Sequence, residues 1–232
     1  MIKHSLKIID IIDEGNNTKT YLLEKPSDIE WEEGSHAHIA IKGYDEQDPP
    51  NKALVRHMSI MSLAEENHIG FTTRFTNQAS EYKSNLINHT VGDELILFKL
   101  GSRMRLRRED RPIVLLSMGV GIATMRPLIL SYLKDQNHIP QCVHINVDAL
   151  HQIYQTEFDA FKHTDFKQIW TQSRVEYYQK LTELKLDHAI YYVVGSDVFL
   201  RTNIQKLKSM GVSMEDIMID KKPGILQLYY EF

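Results

Sequence analysis

Two different rhythms of apolar and polar residues divide this chain. In the first hundred residues the apolar positions come in short runs separated by turn-forming residues. These runs are His4 to Ile12, Thr18 to Glu24, Ala37 to Ile41, Arg56 to Ser62, Ile69 to Arg74 and Glu94 to Leu100. Short strands at short spacing predict an antiparallel barrel or sandwich. One helical stretch, Glu81 to Asn88, interrupts them ahead of the Val91-Gly92-Asp93 turn, and Lys42 to Lys52, with Gly43, Pro49 and Pro50, reads as a polar loop.

The period then changes. Strand patterns at Ile113–Ser117, Val143–Val147, Lys167–Thr171 and Ala189–Val194 alternate with helical patterns at Ala123–Asp135, Thr156–Lys162, Tyr177–Leu184 and Val198–Met210. That alternation predicts βαβ units and a parallel sheet. The two halves are expected to meet in the charged stretch Arg103 to Arg111, giving domains of residues 1–107 and 108–232. The arginines at 103, 105, 107, 108 and 111 suit either an anion site or a solvated linker, and the linker is the simpler reading. The last residues, Leu228 to Phe232, are expected to end in a strand.

Composition narrows the function classes. A chain of 232 residues with net charge −4 offers no electrostatic footprint for nucleic acid. No apolar run approaches the length of a membrane span, and the N-terminus lacks the apolar core of a secretory signal, so a cytoplasmic protein is expected. The one cysteine, Cys142, cannot form an internal disulfide or hold an iron–sulfur cluster. It sits in an apolar strand pattern and reads as a small buried hydrophobe. Among the eleven histidines, His36 and His38 share a strand face and His57 lies near them in pattern, but no Cys/His spacing matches a zinc site, and no metal is expected.

The chemistry gathers at a few turns. Ile113-Val-Leu-Leu runs into Ser117-Met-Gly-Val-Gly, and a helix opens at Ala123. A glycine turn between strand and helix lets backbone N–H groups approach a diphosphate where a side chain would block it. Thr124 stands where the third glycine of a dinucleotide fingerprint would fall, and tight strand–helix packing alone would also explain Gly119 and Gly121. Pro127 fits a helix only in its first turn, which supports a start near Ala123. Upstream, Arg56-His-Met-Ser places Arg56 and Met58 on one strand face and His57 and Ser59 on the other. A guanidinium matches a diphosphate because its donors form a planar fork.

In order along the chain, these pieces resemble the ferredoxin–NADP⁺ reductase superfamily. The resemblance rests on Gly34, Arg56–Ser59, Ser80 with the helix leading to Val91-Gly-Asp, Gly119-Val-Gly-Ile-Ala-Thr-Met-Arg-Pro, Val194-Gly-Ser, and the Gly211-Val to Ile217 ending. It implies a Greek-key antiparallel β-barrel that binds flavin, followed by an α/β parallel-sheet domain that binds NAD(P). The implied activity passes hydride from NADPH to FAD and then electrons to an acceptor: ferredoxin, flavodoxin, free flavin or a ferric species. FAD is preferred to FMN and NADPH to NADH. The alternative is a non-catalytic flavin- or nucleotide-binding regulatory or electron-transfer subunit.

The resemblance also assigns residues. Arg56 would hold the flavin's phosphates and Ser59 would sit near the flavin N5. His57, Met58, Thr73 and Arg74 would line the flavin, with Phe75 at its edge, and Met58 stands where the family has a tyrosine. Ser80 would act at the diphosphate, as a helix N-cap, or both. Gly119, Gly121 and Thr124 would cradle the nicotinamide dinucleotide. Ser173, Arg174 and Tyr178 would grip the adenosine 2′-phosphate, with a plain N-cap at Ser173 as the alternative. Gly195 would keep the turn near the nicotinamide, without the family's cysteine. Tyr229, Tyr230 or Phe232 would cover the flavin or pack in a core.

Overall fold

The computed structural model describes residues 2–161, 165–184 and 186–231. The chain divides into two compact units, Met1–Arg105 and Leu106–Phe232.

The first unit is an antiparallel sheet of six strands. They are β1 (Lys3–Gly15), β2 (Thr18–Glu24), β3 (Ser35–Ile41), β4 (Val55–Ser59), β5 (His68–Arg74) and β6 (Glu94–Ser102), with the helix α1 (Glu81–Leu86) between the last two. The spatial order is β4-β3-β6-β1-β2-β5. The sheet closes where its two edges meet: just past β4, the Met61 N–H donates to the Gly70 carbonyl at 2.8 Å, and the Ser62 hydroxyl accepts from the Gly70 N–H at 3.0 Å and donates to the His68 carbonyl at 2.8 Å. Closure removes the exposed edges that would otherwise invite pairing with other chains. Alternation along the strands sends Tyr21, Leu23, Ile39, Ile69, Phe71, Leu95 and Leu97 inward, all essentially buried. Tyr21 stacks on Phe71 at 5.3 Å and donates its hydroxyl to the Leu86 carbonyl, so α1 is tied to the same core.

The second unit is a parallel sheet of five strands in the order β11-β10-β7-β8-β9. The strands are β7 (Ile113–Met118), β8 (Cys142–Val147), β9 (Phe166–Thr171), β10 (Ile190–Val194) and β11 (Ile217–Ile219), and the helices are α2 (Ile122–Lys134), α3 (Gln155–Asp159), α4 (Arg174–Glu183), α5 (Asp197–Ser209) and α6 (Gln227–Tyr230). β8 is buried at every position, as expected of a strand covered on both faces. One face of the sheet, through Val114, Leu116, Val143, Ile145 and Val193, packs with Tyr177 and Leu181 of α4 and Phe199 and Ile204 of α5. Cys142 is fully buried, and burial pushes its thiol pKa up.

Three expectations change, and one strand is present that the sequence pattern does not show. The C-terminal residues form the helix α6 rather than a strand; Tyr229 belongs to the second unit's core, and Phe232 lies outside the described residues. The strand β11 has only three residues, too few for a pattern. α2 begins at Ile122, so Pro127 falls in its second turn, where it withholds the N–H that would reach the Ala123 carbonyl. Finally, Arg107, Arg108 and Arg111 of the basic stretch are fastened rather than solvated, whereas Arg105 is exposed. Arg107 makes a two-pronged bond to Glu109 (2.7 and 2.8 Å), Arg111 pairs with Asp216 at 2.7 Å, and Arg108 donates to the Asp135 and Asn137 carbonyls. Among the described residues, no helix is long and apolar enough to cross a membrane.

Candidate functional site

In the first unit the alternation of β4 decides which side chains meet. Arg56 lies opposite Ile39 and Met58 opposite Ala37, two core positions, whereas His57 lies opposite His38 and Ser59 opposite His36. Met58 is half-buried against the barrel core. Arg56 turns toward α1: its guanidinium carbon lies 5.7 Å from the Tyr82 ring centre, and Nη1 donates to the Ala53 and Val55 carbonyls at 3.1 and 2.7 Å.

Lys83, which the sequence reading did not single out, completes this corner. Its ammonium donates to the Arg74 carbonyl at 2.5 Å. Burial first, and then the charge of Arg56, pull its pKa below the usual lysine range. Neither Arg56 nor Lys83 has a carboxylate partner among the described residues. Two like charges held near one another with no acid between them disfavour each other's charged form, a cost that a nearby anion would relieve. Ser80 is the N-cap residue of α1, yet its side chain makes no capping bond. The signal for Lys83 in the sequence is its position one helical turn after Ser80.

Other expected flavin contacts spread around β5. Thr73 is buried opposite Lys19, and Arg74 donates from Nε to the Thr18 hydroxyl at 3.0 Å. Phe75 belongs to the barrel core rather than to an edge. On the outer face of β3 and β4, the His36 and His57 rings lie 4.2 Å apart and the His38 and His57 rings 5.8 Å apart. Burial and the neighbouring His57, Arg103 and His38 lower the His36 pKa to about 4, so this imidazole is neutral at pH 7.

In the second unit three glycines gather at the carboxyl ends of β7 and β10, which pair in parallel with Ser117 opposite Val194. Gly119 has φ +57°, a conformation that side-chain-bearing residues adopt at a cost. Gly121 sits where a Cβ would come within 2.8 Å of the Val194 carbonyl oxygen. Gly195 follows directly, and Ser196 caps α5 by accepting from the Phe199 N–H. No side chain caps the start of α2. Thr124 is buried within that helix, and Arg126 is committed to a two-pronged bond with Glu157 at 2.9 and 2.7 Å.

Arg174 opens α4 at the end of β9 and is exposed. Its Nη2 reaches the Met118 sulfur at 3.7 Å, beside the Gly119 turn, and it has no carboxylate partner among the described residues. Ser173 caps α4 by accepting from the Glu176 N–H at 3.2 Å. Tyr178 is half-buried, edge-on to Tyr177 at 5.0 Å. Gly119, Gly121, Gly195 and Arg174 are therefore brought to one end of the sheet, the end at which open α/β sheets bind ligands.

Neither protein-family models nor curated proteins match this chain. Solved structures do. A ferredoxin NADP⁺ reductase from Neisseria gonorrhoeae, with bound FAD and NADP, superposes with a TM-score of 0.80 at 14% identity, over 94% of this chain and 98% of that one. The flavohaemoglobin-like FAD/NAD-binding domain of a nitric oxide dioxygenase from Vibrio cholerae gives 0.71 at 17% identity, over 93% and 97%. A flavohaemoglobin from Malassezia yamatoensis gives 0.76 at 13% identity, over 95% of this chain and 60% of that one.

This chain has the ferredoxin-reductase fold. Within that fold the Arg56–Ser59 strand lies in the antiparallel unit and the Gly119–Gly121 turn at the carboxyl edge of the parallel one, in the order the resemblance requires. Tyr229 and Tyr230 are held by their own unit. The Tyr229 hydroxyl donates to Asp197 at 2.8 Å with Arg201 4.9 Å from its ring centre, and the Tyr230 hydroxyl donates to the Ile217 carbonyl at 2.7 Å.

Proposed function

We propose that this protein is a flavin-dependent NAD(P)H oxidoreductase, with FAD held by the first unit and NADPH by the second. The observation that carries the reading is the corner where Arg56 and Lys83 converge without a carboxylate. A diphosphate supplies the charge that corner lacks, and charge-assisted bonds from a guanidinium and an ammonium to phosphate oxygens are among the stronger ones a protein makes. Two cations suit the diphosphate of FAD better than the single phosphate of FMN. The Ser80 hydroxyl, not spent on capping, adds a donor on the same helix. Ser59, with His57, belongs to the face proposed to receive the flavin ring.

For the nicotinamide nucleotide, the Gly119 turn gives close backbone approach to a diphosphate, at the head of the short 3-10 turn Gly119–Gly121 that leads into α2. Arg174, exposed and without an acid partner, is proposed to read the adenosine 2′-phosphate together with Ser173 and Tyr178, which favours NADPH over NADH. The bound flavin would supply the redox chemistry, taking a hydride from the nicotinamide and passing electrons to an acceptor. The chain's own residues bind, orient and neutralise charge. The acceptor is a small electron carrier, free flavin or a ferric species.

The test is to add FAD to the purified protein and then NADPH without oxygen. A bound flavin absorption that bleaches supports the reading; failure to bind any flavin overturns it. Arg56→Ala and Lys83→Met should each weaken FAD binding about tenfold while leaving riboflavin, which has no phosphate, nearly unchanged. Arg174→Ala should raise KM for NADPH about tenfold and leave NADH nearly unchanged; an equal effect on both nucleotides removes Arg174 from the 2′-phosphate.

A further inference from the structure

Beneath the carboxyl ends of β7, β8 and β9 lies a run of polar side chains that neither proposed cradle uses. Ser117, His144 and Asn146 are fully buried. The Ser117 hydroxyl is 2.8 Å from His144 Nε2 and 2.7 Å from Asn146 Oδ1. Asn146 Nδ2 donates to Gln152 Oε1 at 2.7 Å. Gln152 Nε2 donates to two main-chain carbonyls, Asp148 at 3.1 Å and Thr171 at 2.9 Å. At the other end, His144 Nδ1 is 2.7 Å from Gln168 Oε1, while the Gln168 NH2 faces the Ile169 carbonyl at 3.4 Å.

The directions of these bonds follow from one fixed point. A side-chain amide facing two carbonyl oxygens must present its NH2 group, so Gln152 cannot rotate. Its oxygen then requires the Asn146 NH2, which turns the Asn146 oxygen toward Ser117. The Ser117 hydroxyl has one proton and must give it to Asn146. Its oxygen is left to accept from His144, which therefore carries its proton on Nε2. His144 is neutral at pH 7, since burial lowers its pKa to about 4, so with its one proton on Nε2 its Nδ1 is an acceptor. Gln168 must then turn its NH2 toward Nδ1 and give up a loose 3.4 Å contact with the Ile169 carbonyl.

We propose that Gln152, Asn146, Ser117 and His144 form a one-directional hydrogen-bond relay, fixed at Gln152, that sets the Nε2–H tautomer of His144 and positions the three strand ends of the nucleotide site. Ser117 stands two residues before Gly119 on β7, and Asp148 is the residue after β8. Thr171 ends β9, two residues before Ser173 and three before Arg174. Gln152 thus links the strand end before the glycine turn to the strand end before the phosphate-reading arginine. It is a positioning residue and touches no ligand.

The first arm of the test needs no ligand. In protein labelled with nitrogen-15 histidine, two-bond proton–nitrogen spectra at pH 7 should give His144 the pattern of a neutral Nε2–H ring, with its peaks identified by their loss in His144→Gln. Ser117→Ala removes the acceptor for that proton, and the ring should switch to Nδ1–H facing a re-turned Gln168. An Nδ1–H or doubly protonated ring in the parent protein, or a ring that stays Nε2–H in Ser117→Ala, overturns the relay. The second arm rests on the NADPH reading above. Gln152→Glu keeps the shape but replaces donors by acceptors against two carbonyls, and in folded protein should raise KM for NADPH about tenfold with kcat and flavin content unchanged. An unchanged KM overturns the positioning role. A parent protein that ignores NADPH overturns the functional reading while leaving the tautomer result standing.

Discussion

Gly121→Ala separates the two physical reasons for a glycine between β7 and α2. The backbone of Gly121 is already right-handed helical, φ −59° and ψ −21°. Alanine fits that conformation, and its lower unfolded-state entropy would by itself stabilise the protein by about 0.5–1 kcal/mol. Space opposes it. The new Cβ would lie 2.8 Å from the Val194 oxygen and 3.2 Å from the Val194 carbonyl carbon and Cγ1. The carbonyl atoms belong to the backbone of β10, which is paired in register with β7, so they cannot rotate aside. Overpacking of this kind costs about 1–3 kcal/mol, leaving a net loss of up to about 2.5 kcal/mol, centred on about 1 kcal/mol. Gly224→Ala is the control, because nothing lies within 4 Å of the Cβ it would carry. Both variants are unfolded in urea, with the fluorescence of Trp170 in β9 followed in a Trp31→Phe background so that only the second unit is read. If Gly121→Ala is as stable as Gly224→Ala, the packing argument is wrong and the glycine answers to ligand approach alone.

Other expectations concern single groups. Ser80→Ala should change thermal stability by less than about 0.5 kcal/mol, because the hydroxyl makes no capping bond to lose, where an N-cap substitution ordinarily costs about 1 kcal/mol; the same variant should bind FAD several-fold more weakly in a titration. His144 gives the second unit an acid-sensitive term. Its pKa falls from about 6.5 unfolded to about 4 folded, so the unfolded chain binds more protons in that window. Stability should be full above pH 6.5 and decline by about 3 kcal/mol as pH falls to 4. Urea midpoints across that range should show the decline in the parent and a flatter profile in His144→Gln; equal slopes would mean that His144 is not the group.

Much of the fold was legible because its two halves keep different periods. The strand β2 and the carboxyl end of β9 lie where alternation and turn residues put them, and α2 to α5 each lie within a few residues of their patterns. What failed was short or conditional. β11 has three residues and no period to show. The C-terminal Leu-Tyr-Tyr carries strand propensity, but it folds as a helical turn because Tyr229 and Tyr230 each find a hydrogen bond on their own unit. Pro127 looked like a marker for a first turn, but the helix tolerates it one turn further in, where burial of Met125, Leu128 and Ile129 offsets a lost backbone bond. Arg108 and Arg111 read as solvated because their partners Asp135, His188 and Asp216 are distant in sequence. Lys83 was missed for a related reason: on the chain it is one lysine on a polar helix, and only β4 brings Arg56 beside it.

The polar relay shows where pattern reading reaches its limit. His144 and Asn146 alternate with Val143, Ile145 and Val147, which in an isolated strand is the signature of one wet face. Both faces of β8 are nevertheless buried. The alternation survives because the inward polar groups satisfy one another, through Ser117 on one neighbouring strand and Gln168 on the other. A buried polar group without a partner costs far more than a satisfied one contributes. Each member of the set is therefore constrained by all the others, and by the carbonyls of Asp148 and Thr171 at its anchored end. Apolar replacements could fill the same space, but they would leave those strand ends with fewer fixed bonds. The relay makes sense if the value of the polar core lies in the geometry of the loops above it rather than in stability alone.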